Sequence, residues 1–247
     1  MGTSDRVLRW EALLNARDLG GLPAAAGVIA RGSVIRSDAL YRLNDAGRVA
    51  LVAHGVRTVI DMRDVSEIEA NPYVFEHASG VTHLHVAQQT PEMWHSTRGR
   101  DRVIRETTML ELARSRFAAI ARAIADAPEG GVLIHCEAGK DRTGLMTMLL
   151  LDLVGTPVDV IAADYTLTAV GLAPLFADLL AKPENQAPER RTWLEREALS
   201  RPEVMYAIHD ALRKRHGGAE VYLRAGGMSD ASIATLRDRM LRASRKT

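Results

Sequence analysis

The chain has 247 residues, 47% of them hydrophobic, and a formal net charge of +1. That length supports one large domain or two small ones with a substantial core, and so small a net charge supplies no global field to recruit nucleic acid or a membrane surface. The single cysteine, Cys136, excludes an internal disulfide, and no apolar run approaches the ~20 residues of a membrane span.

In chain order, MGTSDRVLRW carries no signal-peptide apolar core. The expected location is the cytoplasm or, by a route without a conventional signal peptide, outside the cell. NARDLGG (residues 15–21) puts Arg17 and Asp18 before a glycine pair and reads as a tight turn anchored by an ion pair. RSDALYRL follows, with Arg36, Ser37 and Asp38 expected to shape the floor of a site. Asn44 caps a helix running to about His54, which Gly55 closes. VRTVIDM is a strand ending near Asp61. Just beyond it, Arg63 either touches a ligand or pairs with Glu67, four residues on. VTHLHVA is a second strand with His83 and His85 on one face. These are two metal ligands at best, so no metal centre is expected.

Trp94 lies in an irregular segment, PEMWHSTRGR. From about Glu106 to Asp126 the apolar spacing is helical. VLIHC (132–136) is a buried strand, and TGLMTMLLLDLVG (143–155) is a helix apolar nearly all round, hence buried. Residues 165–215 predict two or three helices, loosely joined where AKPENQAPER and Pro202 interrupt, and forming an insertion or lid. Ser229 caps a last helix. Strands alternating with helices predict an α/β fold, a central sheet flanked by helices, in one domain spanning 1–247.

HCEAGKDRTG (135–144) carries the chemistry. A strand runs into Cys136, five residues lead to Arg142, and a helix follows. A short turn into a helix start points successive amides inward, here those of Glu137, Ala138, Gly139 and Lys140. With the helix dipole they suit a phosphate dianion. Gly139 permits a backbone that a Cβ would resist. The Arg142 fork grips two phosphoryl oxygens. The same field predicts a Cys136 thiolate, with a pKa below the free value of about 8.5, poised to attack phosphorus. Thr143 can donate to the sulfur, and Gly144 completes the motif. The nucleotide-binding pattern GxxxxGK[ST] is absent.

HCEAGKDRTG resembles the signature of the protein tyrosine phosphatase superfamily. Together with NARDLGG and RSDALYRL, it resembles the bacterial atypical tyrosine and dual-specificity branch. The likeness spans roughly Asn15 to Gly155, with a weaker echo towards the C-terminus. It implies a phosphatase-like fold and a two-step reaction without cofactor or metal. Cys136 forms a phosphocysteine, Arg142 and the loop amides stabilise the equatorial oxygens, and water releases phosphate. The implied partners are phosphotyrosine-containing proteins or another phosphomonoester, phosphoinositides included.

The leaving oxygen needs a proton. The Trp-Pro-Asp tripeptide of many relatives is missing, so four aspartates compete: Asp141 within the loop first, then Asp61 at its strand end, then Asp64 and Asp101. Lys140 either meets extra phosphates or is a solvated rim charge. Glu137 opposes highly anionic lipid heads and favours a phosphopeptide. The alternatives are a phosphoinositide phosphatase and a non-catalytic phosphate-binding adaptor. The adaptor should lack the Cys or the Arg, and both are present.

Overall fold

A computed structural model describes residues 3–72 and 80–241. A five-stranded sheet runs through it in the order β1 (Arg17–Asp18), β4 (Val34–Ser37), β7 (Gly131–His135), β5 (Val56–Asp61), β6 (Thr82–His85). β4, β7, β5 and β6 are parallel, and β1 lies antiparallel against β4. A hairpin of β2 (Pro23–Ala24) and β3 (Gly27–Val28) stands apart. The register aligns Ser37, His135, Asp61 and His85 across the sheet. All four parallel strands therefore end on one line, and their outgoing loops converge on one crevice, where α/β sites form.

Residues alternate between the two faces of each strand. Ile35, Val59 and Leu133 face a small core with Trp10, Leu13 and Leu51. Val34, Ile60, Val132 and Ile134 face the large one. The small core is covered by α1 (Asp45–Ala53), whose cap Asn44 accepts from the Gly47 amide at 2.9 Å. α2 (Val65–Ala70) and α3 (Pro91–Thr97) follow β5 and β6. The large core is built by α4 (Arg102–Leu112), α5 (Arg114–Asp126) and α6 (Asp141–Leu153). Ten of the thirteen α6 residues are buried, as its all-round apolar surface requires. Where one helix was expected from about Glu106, two meet at the buried Ala113. No Gly or Pro marks that break.

The helical stretch is α7 (Val158–Gly171), α8 (Ala173–Ala181), α9 (Pro188–Ala198) and α10 (Pro202–His216). The helices break where AKPENQAPER and Pro202 were expected to interrupt them, and the prolines there open the next helix. Pro174, Pro183, Pro188 and Pro202 all stand in the first turn of a helix, where a missing N–H costs nothing. α10 packs on α7 and α4. α11 (Ala219–Ala225) and α12 (Asp230–Leu241) pack on α5, and Ser229 Oγ accepts from the Ser232 amide at 3.1 Å. Among the described residues no single helix is long and apolar enough to cross a membrane. α7 and α8 qualify only jointly, and they meet at a 43° bend.

Candidate active site

The turn between β7 and α6 is shaped from outside by its carbonyls. The Cys136 carbonyl accepts from His135 Nδ1 at 3.0 Å, and that of Glu137 from the Ala39 amide at 2.9 Å. The Ala138 and Gly139 carbonyls share the Asn15 side-chain amide at 3.0 and 2.9 Å, and Arg36 Nη2 adds 2.7 Å to Gly139. The Lys140 carbonyl takes the Gly144 amide at 2.8 Å, the first turn of α6. Five consecutive carbonyls thus have protein donors. A trans peptide sets its N–H opposite its C=O, so the amides of residues 137–141 turn the other way and gather on the inside. Gly139 has φ +64°, and a Cβ there would lie 2.4 Å from the Ser37 carbonyl oxygen, which no side chain survives.

At the base of this cradle Cys136 is 3% exposed, and Thr143 Oγ1 donates to its Sγ at 3.1 Å. Arg142 forks onto Glu67 at the start of α2, Nη1 to Oε2 at 2.5 Å and Nη2 to Oε1 at 2.6 Å. Burial works against the Arg142 charge. The neighbouring sulfur and the Glu67 carboxylate outweigh it and raise the pKa. A guanidinium has five N–H donors, so the Nε edge and one hydrogen on each Nη are left over after Glu67. Glu67 is itself fixed by a capping box with Asp64, whose amide donates to Glu67 Oε2 at 2.9 Å.

The donors that hold the turn rest on one buried carboxylate. Asp164 of α7 takes Arg6 at 2.9 Å, Arg17 at 3.2 Å and Arg36 at 2.9 Å. Burial alone would raise its pKa, and the three guanidinia override that and lower it. Arg17 also donates to Asn15 Oδ1 at 2.5 Å. Asp38 accepts the Leu14 and Asn15 amides at 3.0–3.2 Å and so fixes the chain that carries Asn15.

Beside the cradle opens a cavity of about 370 Å³, walled by Trp94 and Met109 and floored by Asp141, Arg142, Glu67 and Glu106. Asp141 Oδ2 accepts from Arg105 Nη2 at 3.3 Å. Burial would raise its pKa, but Lys140, Arg102, Arg105 and Arg142 lower it and favour the carboxylate.

A sequence model described as the tyrosine phosphatase family matches residues 8–242 of this chain. The chain belongs to that family. A tyrosine-protein phosphatase of Nostoc commune is 30% identical over 224 residues, covering 87% of this chain and 76% of the relative. A triple specificity protein phosphatase, PtpB, of Mycobacterium tuberculosis is 32% identical over 120 residues, 44% of each chain. The protein is a cysteine-dependent tyrosine phosphatase of the tyrosine and dual-specificity kind. Phosphorylated proteins are its substrate class.

In this phosphatase the sequence-predicted residues fall into two groups. Cys136, Ala138, Gly139, Asp141, Arg142, Thr143 and Gly144 gather at the cradle. Asp61 and Arg63 lie apart from the cavity and hold each other. Arg63 donates to Asp61 from its amide, Nε and Nη2 at 2.8–3.2 Å, and both are almost fully buried. Burial would raise the Asp61 pKa, but His135 and Arg63 lower it. Glu67, one of the two partners offered for Arg63, forks onto Arg142 instead.

Lys140 is neither a solvated rim charge nor free. It is buried, its Nζ donates to the Glu197 carbonyl of α9, and burial lowers its pKa. Glu137 is held at the rim by Tyr41 Oη at 2.6 Å and Arg42 at 3.3 Å. Its contact and burial push the Tyr41 phenol up to about 12, burial first. Asp101 caps α4, accepting from the Val103 amide at 2.9 Å, and Asp64 caps α2. Trp94 is helical and its ring carries Arg105 at 5.7 Å. Arg17 and Asp18 do not pair. Asp18 takes the Gly20 and Gly32 amides at 2.7 and 2.8 Å, while Arg17 takes Asp164.

Sequence reasoning missed Glu106, Asp164 and Glu197 and the part Glu67 plays at Arg142; none sits in a motif, and their roles depend on what the fold brings to them. Asn15 and Arg36 did lie inside the two N-terminal motifs; Arg36 was placed at the floor of the site, and only the role of Asn15 was lacking.

Proposed function

We propose that this phosphatase dephosphorylates phosphotyrosine in proteins through Cys136, with Asp141 as general acid. Cys136 Sγ attacks phosphorus opposite the aryl oxygen. The S–P bond forms, the P–O(aryl) bond breaks, and Asp141 gives the leaving oxygen its proton. The inward amides and Arg142 stabilise the equatorial oxygens as charge redistributes. Water then attacks phosphorus, Asp141 takes its proton, and the sulfur leaves under the Thr143 hydroxyl. The observation that carries this reading is the run of five carbonyls, residues 136–140, held by protein donors along the turn from Cys136 to Arg142.

The apolar walls Trp94 and Met109 suit an aromatic ring. Because Lys140 is engaged by Glu197, it presents no free ammonium to the additional phosphates of an inositide. That favours the phosphopeptide over the lipid. Turnover of p-nitrophenyl phosphate in EDTA, its inhibition by vanadate and its loss in Cys136→Ser test the chemistry. A panel of phosphotyrosyl peptides and phosphoinositides tests the substrate, and faster turnover of the lipids would reverse the assignment.

The chain is read as one catalytic unit in which α8 and α9 cover the cradle. Glu197 of α9 ties down Lys140 together with Arg102 at 2.7 Å and Arg105 at 3.5 Å, and Phe176 of α8 lies 5.6 Å from the Lys140 ammonium.

A further inference from the structure

We propose that Glu106 holds the proton that Asp141 hands to the leaving oxygen, which makes it a positioning residue for the proton-transfer step. The proposal rests on Asp141 being the general acid. Two carboxyl groups from different elements, Glu106 of α4 and Asp141 at the start of α6, line the same cavity. One guanidinium serves both: Arg105 Nε donates to Glu106 Oε1 at 2.8 Å and Nη2 to Asp141 Oδ2 at 3.3 Å. The third arm of Arg105 faces Glu197 at 3.5 Å. Glu106 is 4% exposed, so a second full charge there is poorly hydrated. The Asp141 Oδ1 atom is buried and has no hydrogen-bond partner. Two carboxyl groups held by one guanidinium at the edge of one cavity are placed to exchange a proton, directly or through a water.

The surrounding charges decide where that proton rests. Glu106 faces Arg102 and Arg105 from its own helix, Asp141 from α6, Tyr165 from α7, and Glu197 of α9 across Arg105. Asp141 faces Lys140, Arg102, Arg105 and Arg142. Burial first, then the Asp141 charge, push Glu106 up to about 7, while the four cations favour ionised Asp141. A general acid that is ionised at rest needs a donor behind it. The bound phosphoryl dianion adds negative charge beside Asp141 and draws the proton across from Glu106. Asp141 passes it to the aryl oxygen as the P–O bond breaks. In the hydrolytic step the proton lost by the attacking water returns through Asp141 to Glu106, and the pair ends as it began.

The test compares two substrates in Glu106→Gln, Glu106→Asp and Asp141→Asn. Phosphotyrosyl peptide has a leaving oxygen that must be protonated, whereas 2,4-dinitrophenyl phosphate has one that need not be. Single-turnover rates of cysteine phosphorylation should fall by about tenfold or more further for the peptide than for the dinitrophenyl ester in Glu106→Gln. The alkaline limb of kcat/KM for the peptide should move to lower pH, and Glu106→Asp should recover both. If Asp141→Asn widens the substrate ratio and Glu106→Gln lowers both rates equally, the proposal is overturned and Asp141 stands. If neither variant alters the ratio, the assignment of Asp141 fails too. Should Glu106→Gln not fold, infrared titration of Cys136→Ser decides. A protonated carboxyl band that disappears near pH 7 is expected, and its absence would overturn the proposal.

Discussion

Asn15→Ala removes one side chain that never meets substrate, yet its effect on catalysis follows from the carbonyl pattern. The substitution deletes the donors to the Ala138 and Gly139 carbonyls at 3.0 and 2.9 Å and the acceptor of Arg17 at 2.5 Å. Gly139 keeps Arg36, and Arg17 keeps Asp164, so the uncompensated loss falls on the Ala138 carbonyl. An orphaned acceptor costs about 1–3 kcal/mol and the two other lost bonds, whose partners stay satisfied, about 0.5 kcal/mol each, so about 2–4 kcal/mol in total. For a chain of this size that lowers Tm by about 5–15 °C. The Ala138–Gly139 peptide is then free to rotate its amide out of the cradle, and a displacement of about 1 Å at a reacting centre costs about a hundredfold. Thermal melts and kcat/KM with p-nitrophenyl phosphate should show both losses. Asn15→Asp, which places acceptors against two carbonyls, should be worse. Should both variants melt within about 2 °C of the wild type and retain kcat/KM within about twofold, the reasoning from outward carbonyls to inward amides is refuted.

Other outcomes follow from the same structure. Gly139→Ala should lose at least about a hundredfold in kcat/KM and its protection by vanadate, since the added Cβ meets the Ser37 carbonyl at 2.4 Å where φ is also +64°. Asp164→Asn leaves three buried guanidinia short of an anion and should cost about 3–5 kcal/mol in chemical denaturation. The sign of its pH effect is fixed. Because the folded pKa of Asp164 is lowered, its contribution is fully present above the unfolded value of 3.8 and lost as pH falls below that. The melting temperature of Asp164→Asn should therefore depend less on pH below about 4 than the wild type's. Deleting residues 182–201, which removes the Glu197 carbonyl that Lys140 donates to, should speed peroxide inactivation of Cys136 severalfold, and an unchanged rate would count against the cover.

How much of this was readable beforehand depended on whether the signal was local. The β5, β6 and β7 strands, the Asn44 cap, the buried α6 and the Ser229 cap all follow from period, composition and capping chemistry within a dozen residues. The loop was legible because cysteine, glycine, arginine and threonine each have a separate reason to stand where they do. Strand β4 was hidden because Arg36 and Ser37 look like surface residues, and only Asp164, far along the chain, makes Arg36 buriable. The same holds for Glu67 and Glu197, each an ordinary helical glutamate until the fold sets an arginine against it, and for Glu106, whose neighbour Arg105 is shared with Asp141 only in the fold. The breaks in residues 165–215 were legible as well: AKPENQAPER and Pro202 fall between α8, α9 and α10, where each proline opens the next helix. The Asp61–Arg63 pair shows the limit from the other side. A carboxylate at a strand end in an α/β sheet is well placed for catalysis, but a neighbouring arginine two residues on occupies it.

The whole account turns on covalent attack by the Cys136 sulfur. Acid-quenched samples of the phosphatase with a phosphotyrosyl peptide, taken within the first turnover and digested for mass spectrometry, address it directly. One phosphoryl group should appear on the peptide that carries Cys136 and vanish as inorganic phosphate is released, with none in Cys136→Ser. Phosphate release at the wild-type rate with no phosphoryl group on that peptide, or with turnover persisting in Cys136→Ser, would contradict it.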